Sequence, residues 1–202
     1  AADQHMADSY LKTFFDEIGR RDYLANSIVI VTGDHSYPTG EHGKTSCVES
    51  FYDEFFRVPF LMTWKGGAIA PSRIEAAVYS HMDVAPTLMD LLDLDVRKHH
   101  FEGVSMLDPA SKKHPVYMIQ PYSGKYVSVV YDPYKYTRHL SDGAEYLFDV
   151  RKDPGETRNL VRQPDMKATL LDMRDKLEFV FANQELIRTD MIWPVAKGPS
   201  GS

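Results

Sequence analysis

The chain has 202 residues, 43% apolar, 26% charged and 12% aromatic, which suits one domain of moderate size with enough apolar residue for a core. A formal net charge of −6 with no basic run longer than a pair excludes a nucleic-acid footprint, and no window approaches the ~20 apolar residues of a membrane span. A single cysteine, Cys47, excludes an internal disulfide and leaves the redox compartment open.

Nothing at the start resembles a leader peptide, although Ala1 is no natural initiator and the chain can begin inside a longer protein. Residues 4 to 18 are predicted to be helical. Met6, Tyr10, Leu11, Phe14 and Ile18 fall at helical spacing, and Gly19 stands where a C-terminal cap belongs. The run SIVIV, 27 to 31, is short, apolar and β-branched, the pattern of a strand covered on both faces. YDEFFR, 52 to 57, suits a short helix. Val58 and Pro59 lead into a second strand, FLMTW, at 60 to 64, and AAVYS, 76 to 80, is a third candidate. DVAPTLMDLLDL, 83 to 94, reads as a helix with Asp83 as N-cap and Pro86 in the first turn. Alternating strands and helices with continuous apolar strands predict an α/β layer around a mostly parallel sheet.

After DPASKKHP, 108 to 115, the pattern changes. VYMIQ (116 to 120), YVSVVYD (126 to 132), YKYTRHL (134 to 140) and EYLFDV (145 to 150) are short strands. The turn residues Ser123-Gly124, Asp132-Pro133 and Asp142-Gly143 separate them, so an antiparallel meander is expected. Residues 165 to 187 form one amphipathic helix whose stripe is Met166, Leu170, Met173, Leu177, Val180 and Phe181. The expected organisation is an α/β part over 1–110, a small α+β part over 111–196 and a flexible tail over 197–202.

The chemistry concentrates in SIVIVTGDHSYPTGEHG, 27 to 43. In α/β sheets ligands sit outside the carboxyl ends of strands, which is where Asp34 and His35 fall. A carboxylate beside an imidazole suits Mn²⁺, Zn²⁺ or a mixed site, whereas Ca²⁺ alone prefers oxygen ligands. On one strand end alone, a capped turn with a half-exposed histidine is the better account of the pair.

The wider series weighs against that plain turn. IVIVTGDHS, GEHG, YDEFFRVPFLMTWKGG and SHMDVAPTLMDLLDL, in that order, resemble the sulfatase branch of the alkaline phosphatase superfamily. The resemblance runs back into ADQHMADSYLKTFFDEIGRRDYLANS. It runs forward into YKYTRHLSDGAEYLFDVRKDPGETRNLV, which is similar to the C-terminal subdomain of that family. It implies an alkaline-phosphatase-like fold and a hydrolase of sulfate esters, with Asp34 and His35 holding one divalent cation, Ca²⁺ or Mn²⁺, with Zn²⁺ as a further choice. Many Ca²⁺-dependent sulfatases carry Asn where this chain has His35, so the histidine tilts toward Mn²⁺ or Zn²⁺ and toward phosphate or phosphonate esters. The resemblance also implies that Lys44 contacts the ester oxygens and that His42 borders the pocket. The plain alternative for Lys44 is a solvated loop lysine.

The family's nucleophile lies in a Cys/Ser-x-Pro-x-Arg motif, converted to formylglycine. Cys47 is followed by Val48, Glu49, Ser50 and Phe51, so that motif is not here, and Cys47 reads as a loop or core residue. The resemblance therefore implies a C-terminal segment that is inactive alone, with formylglycine and the N-terminal half of the enzyme as its complement. It also implies a periplasmic, secreted or membrane-anchored location. Two other readings stand beside it. One is a phospho-transferase or phosphonate hydrolase of the same superfamily, of the lipoteichoic acid synthase or phosphoethanolamine transferase type. The other is a non-catalytic scaffold with a decayed site. His99-His100, His81 and Arg57 read as structural, with Arg57 expected to pair with a nearby carboxylate, and DPGETRNL, 153 to 160, as a turn that holds the small lobe together.

Overall fold

Apolar spacing and turn chemistry account for most of the elements, which we describe from a computed structural model. It describes residues 2–46, 50–65, 67, 69, 73, 77–96, 99–120, 122 and 125–183. Cys47 and the turn Ser123-Gly124 lie outside the described residues, as do the side chains of Val180 and Phe181. The chain divides into two compact units, Ala1–Asp34 with Val58–Ile74, and His35–Arg57 with Glu75–Ser202.

The first unit holds α1 (Ala2–Arg20), β1 (Ile28–Thr32) and β2 (Phe60–Trp64). Helix α1 runs through Gly19 instead of stopping there. The Asp22 N–H reaches the Gly19 carbonyl at 3.3 Å, and Asp22 itself takes the left-handed conformation, φ 57°. That short polar residue supplies the reversal expected of the glycine. The strands β1 and β2 pair antiparallel, with Ile28 opposite Trp64 and Thr32 opposite Phe60. A parallel pair needs a crossover connection, usually a helix, and the only α-helix described between these strands is α2 (Asp53–Phe56), a single turn. Strand β2 alternates, with Phe60, Met62 and Trp64 half-buried and Leu61 65% exposed.

The second unit holds α2, α3 (Val84–Leu91), β3 (Val116–Gln120), β4 (Tyr126–Tyr131), β5 (Tyr134–His139), β6 (Glu145–Asp149) and α4 (Lys167–Asn183). The four strands form an antiparallel meander in the order β3-β4-β5-β6. The β4–β5 turn is Asp132-Pro133, with a cis peptide bond, and Gly143 (φ 73°) lies in the β5–β6 turn. Residues 77–80, part of the third candidate strand, are irregular. Helix α3 ends three residues early, and Asp93 beyond it is left-handed at φ 54°.

Strand alternation explains how both faces of the meander are covered. Val127, Val129, Tyr136 and Leu147 point to one face and pack with Leu170, Met173 and Leu177 of α4. Burying each such side chain stabilises by about 1.5–3 kcal/mol. On the opposite face, Phe51 lies against Tyr126 and Tyr146, with ring centroids at 4.7 and 4.5 Å. The same face carries Lys135 and Thr137, both buried. The mixed α/β class, the small antiparallel sheet and the long C-terminal helix are therefore present. Among the described residues, no helix is long and apolar enough to cross a membrane.

Candidate functional site

Asp34 stands two residues past the end of β1 and is exposed, as is His35 after it. The segment carrying His35 is anchored by backbone, since the Ser36 N–H donates to the Phe55 carbonyl at 2.9 Å. The His35 ring lies 5.8 Å from that of Phe55. Its Nδ1 is 2.8 Å from the Ser36 carbonyl oxygen, which can only accept, so Nδ1 carries a proton. In the neutral ring the lone pair then sits on Nε2, the form in which an imidazole ligates a metal. The donor set of a carboxylate and an imidazole in this tautomer fits a divalent cation. Among the described residues no group of three or more His, Cys, Asp or Glu side chains is gathered for one.

His42 takes a different part. It is left-handed at φ 50° between Gly40 and Gly43, both also at positive φ. Its ring stacks on Tyr52 at a centroid distance of 3.5 Å and an interplanar angle of 3°. Its Nδ1 lies 2.8 Å from Glu54 Oε1, with both side chains mostly out of solvent. Glu41 turns back on its own loop, where its carboxylate accepts from the Thr39 N–H at 2.6 Å and from the Thr39 hydroxyl at 2.9 Å. Backbone N–H groups and the Thr39 hydroxyl hold the Glu41 carboxyl below its ordinary value. Glu41, His42, Asp53, Glu54, Arg57, Pro154, Gly155 and Thr157 line a cavity of about 590 Å³. Lys44 is half-buried, with its N–H donating to the Glu41 carbonyl at 2.9 Å, and is not in that wall.

Beneath the cavity lies a charge cluster that the sequence pattern does not announce. Lys135 Nζ, fully buried, is 2.9 Å from Asp53 Oδ1 and 2.8 Å from Glu156 Oε1. The Asp53 N–H donates to Glu156 Oε2 at 2.6 Å, so a carboxylate 103 residues away caps the start of α2. Glu156, in DPGETRNL, sits at φ 48°. In the same turn Asp153 accepts from Thr157 and Arg158, and Asn159 Oδ1 accepts from the Leu147 and Val161 N–H groups. Arg57 is exposed in the cavity wall, and no carboxylate partner is recorded for it among the described residues.

The sulfatase family model matches residues 3–94, which contain Asp34, His35, His42 and Lys44. A Delta 4,5-hexuronate-2-O-sulfatase from Bacteroides thetaiotaomicron is 30% identical over 184 residues, covering 85% of this chain and 37% of that enzyme. Family model and curated relative alike are sulfatases. A solved 2-O GAG sulfatase superposes at a TM-score of 0.66 with 26% identity, over 80% of this chain and 37% of that one. The phosphonate monoester hydrolase of Agrobacterium radiobacter superposes at 0.64 with 21% identity, over 87% and 39%, and so shares the fold. The chain thus spans well under half the length of these sulfatases.

Proposed function

We propose that this chain is the C-terminal portion of a metal-dependent sulfatase that hydrolyses sulfate esters of sugars. The observation that carries the reading is the family match over residues 3–94, with Asp34-His35 directly after β1. The named relative acts on a sulfated uronate, which supports a sulfated carbohydrate as substrate class.

In this reading Asp34 and His35 supply two ligands of a divalent cation, Ca²⁺ or Mn²⁺, with the His35 Nδ1–H bond to Ser36 fixing the ring for ligation through Nε2. A cation held by Asp34 and His35 would supply Lewis acidity toward the ester oxygens. Lys44 is assigned the part of offsetting the charge of the transferred group, as the family resemblance implies, and His42, held by Glu54 and Tyr52, that of shaping the neighbouring loop. The attacking group, a formylglycine, and the remaining ligands belong to the N-terminal half of the enzyme.

Turnover of an aryl sulfate, a sulfated uronate disaccharide, an aryl phosphate and a phenylphosphonate by the full-length protein, each with Ca²⁺, Mn²⁺ or Zn²⁺, tests this reading. The expected result is preference for sulfate esters, with a loss of more than about 100-fold for Asp34→Ala and for His35→Ala. Full turnover by Asp34→Ala on every substrate would remove the metal assignment. Turnover by the isolated 202-residue chain would show that the nucleophile is not elsewhere. His35 itself favours a second reading, a phosphate- or phosphonate-ester hydrolase, and preference for the phosphorus substrates with Mn²⁺ or Zn²⁺ would establish it.

A further inference from the structure

We propose that His114 and Asp83 form a protonation-locked clasp, closed while His114 is an imidazolium, that holds the start of α3 against the start of β3. The inference is independent of the catalytic reading and rests on where the acceptors lie.

Asp83 is fully buried and serves three segments at once. Its Oδ2 accepts from the Ser80 N–H at 2.7 Å and lies 3.3 Å from His114 Nε2, while its Oδ1 accepts from the Val104 N–H at 2.9 Å. The other ring nitrogen of His114, Nδ1, is 2.5 Å from the Ser111 carbonyl. A neutral imidazole has one N–H and one lone pair. Here one ring nitrogen meets a carbonyl and the other a carboxylate, and neither partner can donate. Only the doubly protonated ring satisfies both. The neutral ring would set a lone pair against one of them, inside a site where His114 keeps only 17% of its side-chain surface.

The surrounding groups leave Asp83 as the charge that His114 faces. The Tyr79 ring lies 6.1 Å away, and its hydroxyl is 3.2 Å from Ser111 Oγ. The Asp90 carboxylate accepts from the Ser105 hydroxyl at 2.6 Å, and the Asp108 carboxylate from the Ala110 N–H at 2.8 Å. His81, Asp93, His99, His100, Glu102 and Lys113 are exposed, and Asp95 is half-buried. The Asp83 carboxylate, against the opposing effect of burial and with help from the Ser111 carbonyl, holds His114 above its ordinary value. Burial opposes ionisation of Asp83, but His114 and the Ser80 and Val104 N–H groups together hold it below its ordinary value.

The signs set a window. The raised His114 contributes stability that is full below about pH 6.5 and is lost as pH rises through its folded value. The lowered Asp83 contributes stability that is full above about pH 3.9 and is lost as pH falls through its folded value. The clasp is therefore closed between the folded values of Asp83 and His114 and opens as pH rises through that of His114. Opening leaves the buried Asp83 carboxylate, which accepts from the Ser80 and Val104 N–H groups, without its cation, and releases the segment 111–114, two residues before β3.

The test is NMR of the imidazole nitrogens and amide exchange in the complete chain. His114 is expected to hold protons on both nitrogens at pH 6.5, to titrate above that value, and to show protection factors at Ser80 and Val104 that fall about tenfold through its own midpoint. His114→Gln is expected to remove that pH dependence while keeping the far-UV spectrum, and Asp83→Asn to return the His114 midpoint to about 6.5. A midpoint at or below about 6.5 in the unaltered chain overturns the proposal, as do protection factors indifferent to pH. If His114→Gln does not fold, the two measurements on the unaltered chain decide the matter.

Discussion

Lys135 Nζ lies 2.8 Å from Glu156 Oε1 with neither side chain open to water, and Asp53 reaches the same ammonium at 2.9 Å. One positive charge therefore answers two carboxylates inside the second unit. Desolvation pushes Glu156 above its ordinary value, Lys135 pulls it down, and the Asp53 carboxylate pushes it up again. Glu156 accordingly favours the folded state below about pH 4.3 and loses that contribution as pH rises through its raised value. Removing the cation leaves both acids unanswered. Lys135→Met is predicted to cost about 3–5 kcal/mol in chemical denaturation. The double change Lys135→Met with Glu156→Gln is expected to recover part of that loss, because the buried charge then vanishes with its partner. A single change that cost nothing would mean the cluster is wet.

Gly103 supplies a second prediction through close approach and not through conformation. A Cβ built there would lie 2.1 Å from the Met82 carbonyl oxygen and 2.8 Å from the Asp83 nitrogen. Both are backbone atoms at the start of α3, so the neighbour cannot rotate away. Gly103→Ala is predicted to destabilise by more than about 2 kcal/mol and to weaken protection of the Val104 and Met106 amides, which bond to Asp83 and Thr87. Thermal unfolding and hydrogen exchange give the two readouts.

A third prediction separates the two histidines of the opening loop. His42 is engaged with Glu54 and Tyr52, whereas His35 carries a proton on Nδ1 toward the Ser36 carbonyl and is the proposed ligand. In the full-length protein, His35→Ala and Asp34→Ala are expected to weaken Mn²⁺ binding by more than about tenfold, measured by calorimetry. His42→Ala is expected to leave the metal affinity within about threefold and to cost about 1 kcal/mol of stability from the lost pair. Equal losses for all three would place His42 among the ligands.

Much of this was legible in the sequence where it is periodic. The meander strands begin at the expected residues, 116, 126, 134 and 145, because Asp132-Pro133 and Asp142-Gly143 punctuate a period of two. The sulfatase resemblance rested on an ordered motif series and is matched by the family comparison. Direction was less legible: β1 and β2 have the continuous apolar character of parallel strands, yet pair antiparallel, because burial fixes hydrophobicity and the connection fixes direction. The long-range polar pairs were not legible at all. Lys135 meets Asp53 across 82 positions and Asp83 meets His114 across 31. No local spacing encodes either, and a lysine inside a strand reads as solvent-facing until its other face is covered. The Gly-Glu-His-Gly loop was legible as a motif, but its engagement with Glu54 is a product of packing.

Glu145 ties the last strand to the long helix and gives the prediction with the clearest acid signature. Its Oε1 accepts from Arg174 Nε at 2.8 Å and from the Tyr136 hydroxyl, and its Oε2 accepts from Arg174 Nη2, a two-pronged contact between β6 and α4. Arg174 first, and Tyr136 after it, hold the Glu145 carboxyl below its ordinary value despite partial burial. A lowered carboxylate contributes stability that is full above about pH 4.3 and drains away as pH falls through its folded value. Glu145→Gln keeps the shape and removes the charge, so it is predicted to cost about 1.5–3 kcal/mol at pH 7. The cost should shrink toward zero as pH falls through the lowered folded value of Glu145, where the unaltered carboxyl also loses its charge. Denaturant midpoints of the two proteins, compared between pH 3 and 7, should therefore converge on the acid side. A constant gap across that range would assign the loss to packing against Tyr136 instead of to charge.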